Sequence, residues 1–167
     1  MAVTTADVKR LREETGAGVM DAKRALEEAE GNFDRAKGIL RERGGAAAAK
    51  RAERETRQGM VESYIHGGGR IGVLVEVQCE TDFVARTDTF RQLARDIAMQ
   101  VAAMNPLALT PDAVPGDHAD TANEHALLTQ TFIKDGSKTI QDLIQETVAQ
   151  TGENIRVARF ARFVLGE

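Results

Sequence analysis

With 167 residues and 22 Lys and Arg against 26 Asp and Glu, the chain has room for one ordinary domain, or a small one plus a medium one, at a net charge of −4. Aromatic residues make up 4% and Trp is absent, so any core is built from Leu, Ile, Val, Ala and Met, and a general nucleic-acid binder is disfavoured by the charge. No apolar run approaches the roughly 18 residues that span a bilayer, no basic-then-apolar leader opens the chain, and the single Cys79 allows no internal disulfide, which together lead us to expect a cytoplasmic, unprocessed protein.

The first 45 residues pattern as a three-helix module. Thr4 or Thr5 is placed to cap a helix carrying Val8 and Leu11, and Gly16 and Gly18 supply the turn that ends it. A second helix sets Ala22, Ala25, Leu26 and Ala29 on one face; Gly31-Asn32 punctuates; Phe33, Ala36, Ile39 and Leu40 form a third stripe before Gly44-Gly45. Val19 and Met20 follow the Gly-Ala-Gly turn, where they either staple the loop onto the first helix or stand exposed. A connecting helix is predicted over 46–58. Charges in Lys50-Arg51-Ala52-Glu53-Arg54-Glu55-Thr56-Arg57 alternate in sign, the pattern of a solvated helix rather than of a nucleic-acid contact.

Residues 59–167 pattern as an α+β core. Met60, Val61, Tyr64 and Ile65 lead through Gly67-Gly68-Gly69 into an alternating strand with Ile71, Val73, Val75 and Val77, a hairpin. Gly67, Gly69 and Gly72 match the dinucleotide-binding spacing formally, but they lie between strands and open no helix, so no pyrophosphate site follows. His66, His118 and His125 have no Cys or His at ligand spacing, and no metal or cofactor is expected. In Cys79-Glu80-Thr81-Asp82-Phe83-Val84-Ala85-Arg86 the strand has run out and the helix capped by Thr87 has not begun. Phe83 there either turns into the core, which the residues alone favour, or projects as an apolar wedge beside Asp82.

Phe90, Leu93, Ala94, Ile97, Ala98 and Val101 give the next helix a stripe wide enough to cover a sheet. Pro106, Pro111 and Pro115 make a loop; helical patterning returns around Glu124 to Gln130 and at Ile140, Leu143, Ile144 and Val148. Asn154 to Leu165 reads as a last strand, pairing with the hairpin in a three-stranded antiparallel sheet with helices on it.

The segment Thr15-Gly16-Ala17-Gly18-Val19-Met20-Asp21-Ala22-Lys23-Arg24-Ala25-Leu26 resembles the opening signature of bacterial elongation factor Ts. Cys79 to Arg86 resembles that family's second signature, and Ile133-Lys134-Asp135 with Gly152-Glu153-Asn154-Ile155 resembles its C-terminal pattern. The resemblance implies a ubiquitin-associated-like N-terminal module and a non-enzymatic guanine nucleotide exchange factor acting on elongation factor Tu, in its GDP and nucleotide-free forms. Thr81, Asp82, Phe83 and Val84 correspond to the motif that dislodges the partner's Mg²⁺. Arg12, Val19, Met20 and Lys23 correspond to the docking contacts, although Arg12 also fits a solvated charge. The stretch 116–131 is shorter than the family's helical segment there. Short members form homodimers, which suggests the same for this chain. Two other classes remain open. One is an adaptor that only tethers a partner through Val19 and Met20; the other is an enzyme with Cys79 as nucleophile and His66 or His125 as base.

Overall fold

A computed structural model describes residues 3–167. Three helices lead, α1 (Thr5–Thr15), α2 (Val19–Glu28) and α3 (Phe33–Arg51), then the strands β1 (Gln58–His66) and β2 (Ile71–Cys79). A single turn, α4 (Asp82–Ala85), precedes the long helix α5 (Asp88–Met104); another single turn, α6 (Ala122–His125), lies among 3-10 turns. The short pair β3 (Thr131–Phe132) and β4 (Asp135–Thr139), helix α7 (Ile140–Thr151) and strand β5 (Ile155–Val164) complete the chain. No helix among the described residues is long and apolar enough to cross a membrane.

The three leading helices form where the caps and stripes predict them. Thr4 and Asp7 exchange hydrogen bonds in a capping box, satisfying amide groups that the first turn leaves free. Gly16 stops α1 at φ +68°, and its N–H returns to the Arg12 carbonyl. Val8, Leu11, Ala22, Ala25, Leu26, Ala29 and Ala36 then close a core of their own.

The third stripe does not stop at Gly44-Gly45. Helix α3 continues to Arg51, so no separate helix occupies 46–58, and Gln58 already belongs to β1. Glycine inside a helix costs up to about 1 kcal/mol relative to Ala, and both of these face α7. A Cβ on Gly44 would stand 3.7 Å from the Ala149 Cβ, and one on Gly45 would stand 3.2 Å from the Gln145 side-chain oxygen, both on α7. A Cβ at Gly44 would thus make only ordinary contact, and one at Gly45 would meet the movable end of the Gln145 side chain; the pair lies along a helix crossing rather than ending a helix. The seam is extended by Arg41, which donates to the Ser137 carbonyl at 3.1 Å, and by Gln150, which donates to the Thr15 carbonyl at 3.3 Å.

The sheet has three antiparallel strands in the order β1-β2-β5, as the hairpin and the last strand predict. Val73, Val75, Val77 and Cys79 of the central strand face inward, and α5 covers them with Phe90, Leu93, Ala94, Ile97, Ala98 and Val101. Gly67, Gly68 and Gly69 all have positive φ, the conformation this hairpin turn requires. A bulge in β5 lies opposite Glu76 and Val77. It shifts the strand by one residue, so Arg159 comes opposite Glu76 and bonds it at 2.7 Å, while Arg162 reaches the Ala102 carbonyl at 3.3 Å near the end of α5.

The stretch between α5 and α7 is more irregular than its pattern predicts. Where helix was expected over 124–130, the chain makes the single turn α6 and a 3-10 turn at Leu127–Thr129. Thr129 and Gln130 side chains take the carbonyls of Asn123 and Glu124, which diverts the backbone from a continuing helix. Ala126 and Leu127 are nevertheless fully buried, and buried Gln100 ties the segment to α5 by bonding the Thr131 carbonyl and the Ile133 amide.

Gly59 is held at φ +145° with its Cα against β2, where an added Cβ would collide with the Val77 carbonyl. Gly59→Ala should therefore destabilise the protein by about 2–5 kcal/mol through strain and overpacking. In a thermal melt that corresponds to a Tm lowered by roughly 5–15 °C.

Candidate functional site

Strand β2 ends at Cys79, which is buried and donates its S–H to the Thr81 carbonyl at 3.1 Å. Burial first, and the Glu153 carboxylate second, push the thiol up to about 11, so at neutral pH it is protonated. A shielded thiol of this kind is a poor nucleophile, which removes the basis for an enzyme built on Cys79.

Beyond Cys79 the chain makes the single helical turn α4, where the sequence pattern had none. Both ends of the turn are held by threonines. The Thr81 hydroxyl accepts the Val84 amide at 3.3 Å, and the Thr87 hydroxyl donates to the Val84 carbonyl at 2.7 Å while accepting the Phe90 amide at 3.3 Å. Val84 turns inward and is 5% exposed, joining the core under the sheet. Successive side chains of a helix point about 100° apart, so anchoring Val84 turns its neighbour outward. Phe83 is 77% exposed, which answers the choice between core and wedge in favour of projection. Asp82 is exposed beside it and pairs with Arg86 at 2.8 Å. Of the four motif residues, Val84 holds the turn from inside, and Thr81, Asp82 and Phe83 face solvent.

A second exposed apolar point lies on the N-terminal module. Val19 and Met20, on the first turn of α2, are 53% and 57% exposed, so they do not close the loop as a staple. Arg12, on the last turn of α1 across the Gly16–Gly18 turn, is also exposed. Lys23 lies one turn further along α2 and pairs loosely with Glu27 at 3.8 Å.

Two residues of the C-terminal signature hold the approach to α4, a role that sequence patterning did not assign. The Glu153 carboxylate accepts the amides of Glu80 and Thr81 at 3.1 and 3.0 Å and the Thr81 hydroxyl at 2.6 Å. Asn154, 7% exposed, donates its backbone amide to the Glu80 carboxylate at 2.6 Å and its side-chain amide to the carbonyls of Ala52 and Arg54 at 3.2 and 2.8 Å. The only sequence signal was their place at the start of β5, directly after the helix-ending Gly152.

A cleft of about 510 Å³ lies between the N-terminal helices and α7. Its charged lining is largely spent internally, Lys37 on Glu14 at 2.6 Å and Lys138 on Glu146 at 2.8 Å. Phe83 and the Val19–Met20 pair are exposed apolar points that suit a macromolecular partner, and Val61, Ile65, Leu74 and Phe163 are exposed on the open sheet face as well.

Comparison with known proteins matches residues 36–124 to the family described as Elongation factor TS. The Elongation factor Ts of Rubrobacter xylanophilus is 47% identical over 195 residues, covering 99% of this chain and 100% of the relative. That of Carboxydothermus hydrogenoformans is 49% identical over 195 residues, covering 99% and 90%, and that of Desulfosudis oleivorans 46% over 190 residues, covering 96% of each. These alignments are longer than the 167 residues available, so the relatives carry positions that this chain lacks.

The opposite orientations of Phe83 and Val84 predict opposite effects on stability. Phe83→Ala should change unfolding free energy by no more than about 0.5 kcal/mol, as at other exposed sites. Val84→Ala, by emptying part of the core, should cost about 1–3 kcal/mol. Urea titrations of the two variants provide the comparison.

Proposed function

Because the chain belongs to the elongation factor Ts family, we propose that it is a guanine nucleotide exchange factor of translation elongation, acting in the cytoplasm on elongation factor Tu. The observation that carries this reading is Phe83, a large aromatic held 77% exposed on a turn that is pinned from both ends. Exposing a Phe sacrifices about 2–3 kcal/mol of burial in the free protein, and that burial becomes available when a partner covers the ring. An adaptor that tethers through α2 alone would have no use for it.

In this mechanism Arg12, Val19, Met20 and Lys23 dock the N-terminal module on the partner's nucleotide-binding domain. The turn Thr81–Val84 meets the region beside the partner's magnesium ion. There Phe83 enters between elements of the partner, and Asp82 assists in moving the ion's surroundings. Mg²⁺ tolerates little departure from octahedral oxygen coordination, so a small displacement releases it and loosens GDP.

Magnitudes require both surfaces. A 10⁴-fold loosening of nucleotide corresponds to about 5.5 kcal/mol of coupling, whereas one buried Phe contributes about 2–3 kcal/mol. The remainder has to come from docking contacts that hold the partner in its distorted state.

We also propose a homodimer. Val61, Ile65, Leu74 and Phe163 are all exposed, and the strand register sets them on the sheet face opposite α5. An apolar sheet face is self-complementary under a two-fold axis.

Release of a fluorescent GDP analogue from elongation factor Tu tests the exchange reading. Catalytic amounts of the wild type should accelerate release strongly. Phe83→Ala should abolish most of that acceleration while binding persists, and Met20→Ala should weaken binding first. No acceleration by the wild type would leave docking as its only role. Sedimentation tests the dimer separately: the wild type should run at about twice the 18.1 kDa chain mass, and Leu74→Lys at the mass of one chain.

A further inference from the structure

We propose that Glu153 is a positioning residue for the exchange turn, its carboxylate holding the Glu80–Thr81 backbone and the Thr81 hydroxyl so that α4 presents Phe83 in one orientation. The inference rests on the exchange reading above and assigns a residue that does not itself project toward the partner.

The geometry follows from strand register. The β2–β5 ladder ends with Cys79 opposite Ile155. Continued antiparallel for two more steps, it would bring Thr81 opposite Glu153. The backbones diverge there instead, because Gly152 ends α7 at φ +75° and α4 begins at Asp82. Glu153 bridges the gap with its side chain, so the amides of Glu80 and Thr81 find a carboxylate where the ladder no longer supplies a carbonyl. Such charge-assisted bonds are among the stronger ones available to a backbone amide.

The turn needs this support. Four residues are far too few for a helix to persist unaided, and within α4 only Val84 is buried. The Thr81 hydroxyl that caps α4 is the same one that donates to Glu153 at 2.6 Å, so the carboxylate also orients the cap. Without Glu153, Thr81 and the Glu80 backbone could swing, and Phe83 would reach the partner from many directions. A wedge that must be ordered on contact loses part of the free energy it would otherwise apply to the partner.

The test uses three variants of the full chain. Glu153→Gln keeps an acceptor for the two amides and gains an N–H for the Thr81 oxygen. Glu153→Ala keeps neither, and Glu153→Asp keeps the charge but falls one methylene short. In Glu153→Ala and Glu153→Asp the amides of Glu80 and Thr81 should exchange hydrogen about ten-fold faster or more, with β2 amides unchanged. The maximal rate of GDP release should fall by about ten-fold or more, and the half-saturating concentration should shift by less than about three-fold. Glu153→Gln should recover both readouts. A wild-type maximal rate in both Glu153→Ala and Glu153→Asp would overturn the proposal. So would a loss that follows global unfolding in every variant, with Gln no better than Ala. Should Glu153→Ala fail to fold, Glu153→Asp decides. Failure of the wild type itself to release GDP would refute the exchange reading, while the amide measurement, which needs no partner, would still report on the anchor.

Discussion

The antiparallel ladder between β2 and β5 is the constraint on which the rest of the structure depends. It joins residues near positions 71–79 to residues 155–164, which are separated by helices α4 to α7, the short pair β3–β4 and an irregular loop. Past its last pair the side chains of Glu153 and Asn154 take over. Glu153 holds the turn that carries Phe83, and Asn154 holds the two carbonyls at which the chain leaves α3. One end of one strand therefore determines where the turn carrying Phe83 lies and where the N-terminal module is tethered.

The parts legible in the sequence were those governed by local periodicity. Alternation at Val73, Val75 and Val77 declared a buried strand, and the stripe from Phe90 to Val101 declared the helix that covers it. Both are set by neighbours close in the chain. The parts that were not legible depend on contacts across long separations. Gly44-Gly45 looks like a helix stop from the inside of α3; the structure instead places the pair inside the helix where it crosses α7, a hundred residues later. Phe83 by its own chemistry belongs in a core. Its projection follows from Val84 being taken into the core and Thr81 being taken by Glu153, neither of which periodicity reports. The resemblance to the family supplied the expected role of Phe83, Val19 and Met20. It supplied no physical reason for Phe83's exposure, and that reason lies in the anchors.

Small residues line the crossing of α3 and α7. With glycines at 44 and 45 and alanines at 46–49, α3 has little side-chain bulk near its crossing with α7, and such helices can meet at close range with little rotamer entropy lost. The scarcity of aromatic residues, first read as a limit on the core, therefore has a counterpart in the seam. Core volume comes from Val, Ile, Leu and Ala, and the exposed Phe83 and Phe163 are among only six phenylalanines in the chain.

The connection between the two exposed points matters because, in the proposed exchange, neither suffices energetically. If docking by the N-terminal module and wedging by Phe83 were connected by a slack tether, the first contact would raise the local concentration of the second without forcing it on the partner. The connection here is different. Helix α3, about 28 Å long at 1.5 Å per residue, runs from the module to the carbonyls that Asn154 holds, and Glu153 next to it holds the exchange turn. In the exchange proposed above, two contacts joined through one helix act as a caliper. A partner that satisfies both must adopt their spacing, and the binding energy of the first contact can then be used to distort the partner at the second. Linkage gives the proposed exchange a converse: if this chain weakens GDP binding, GDP weakens the chain's hold by the same factor, so the proposed complex is tightest when the nucleotide has gone.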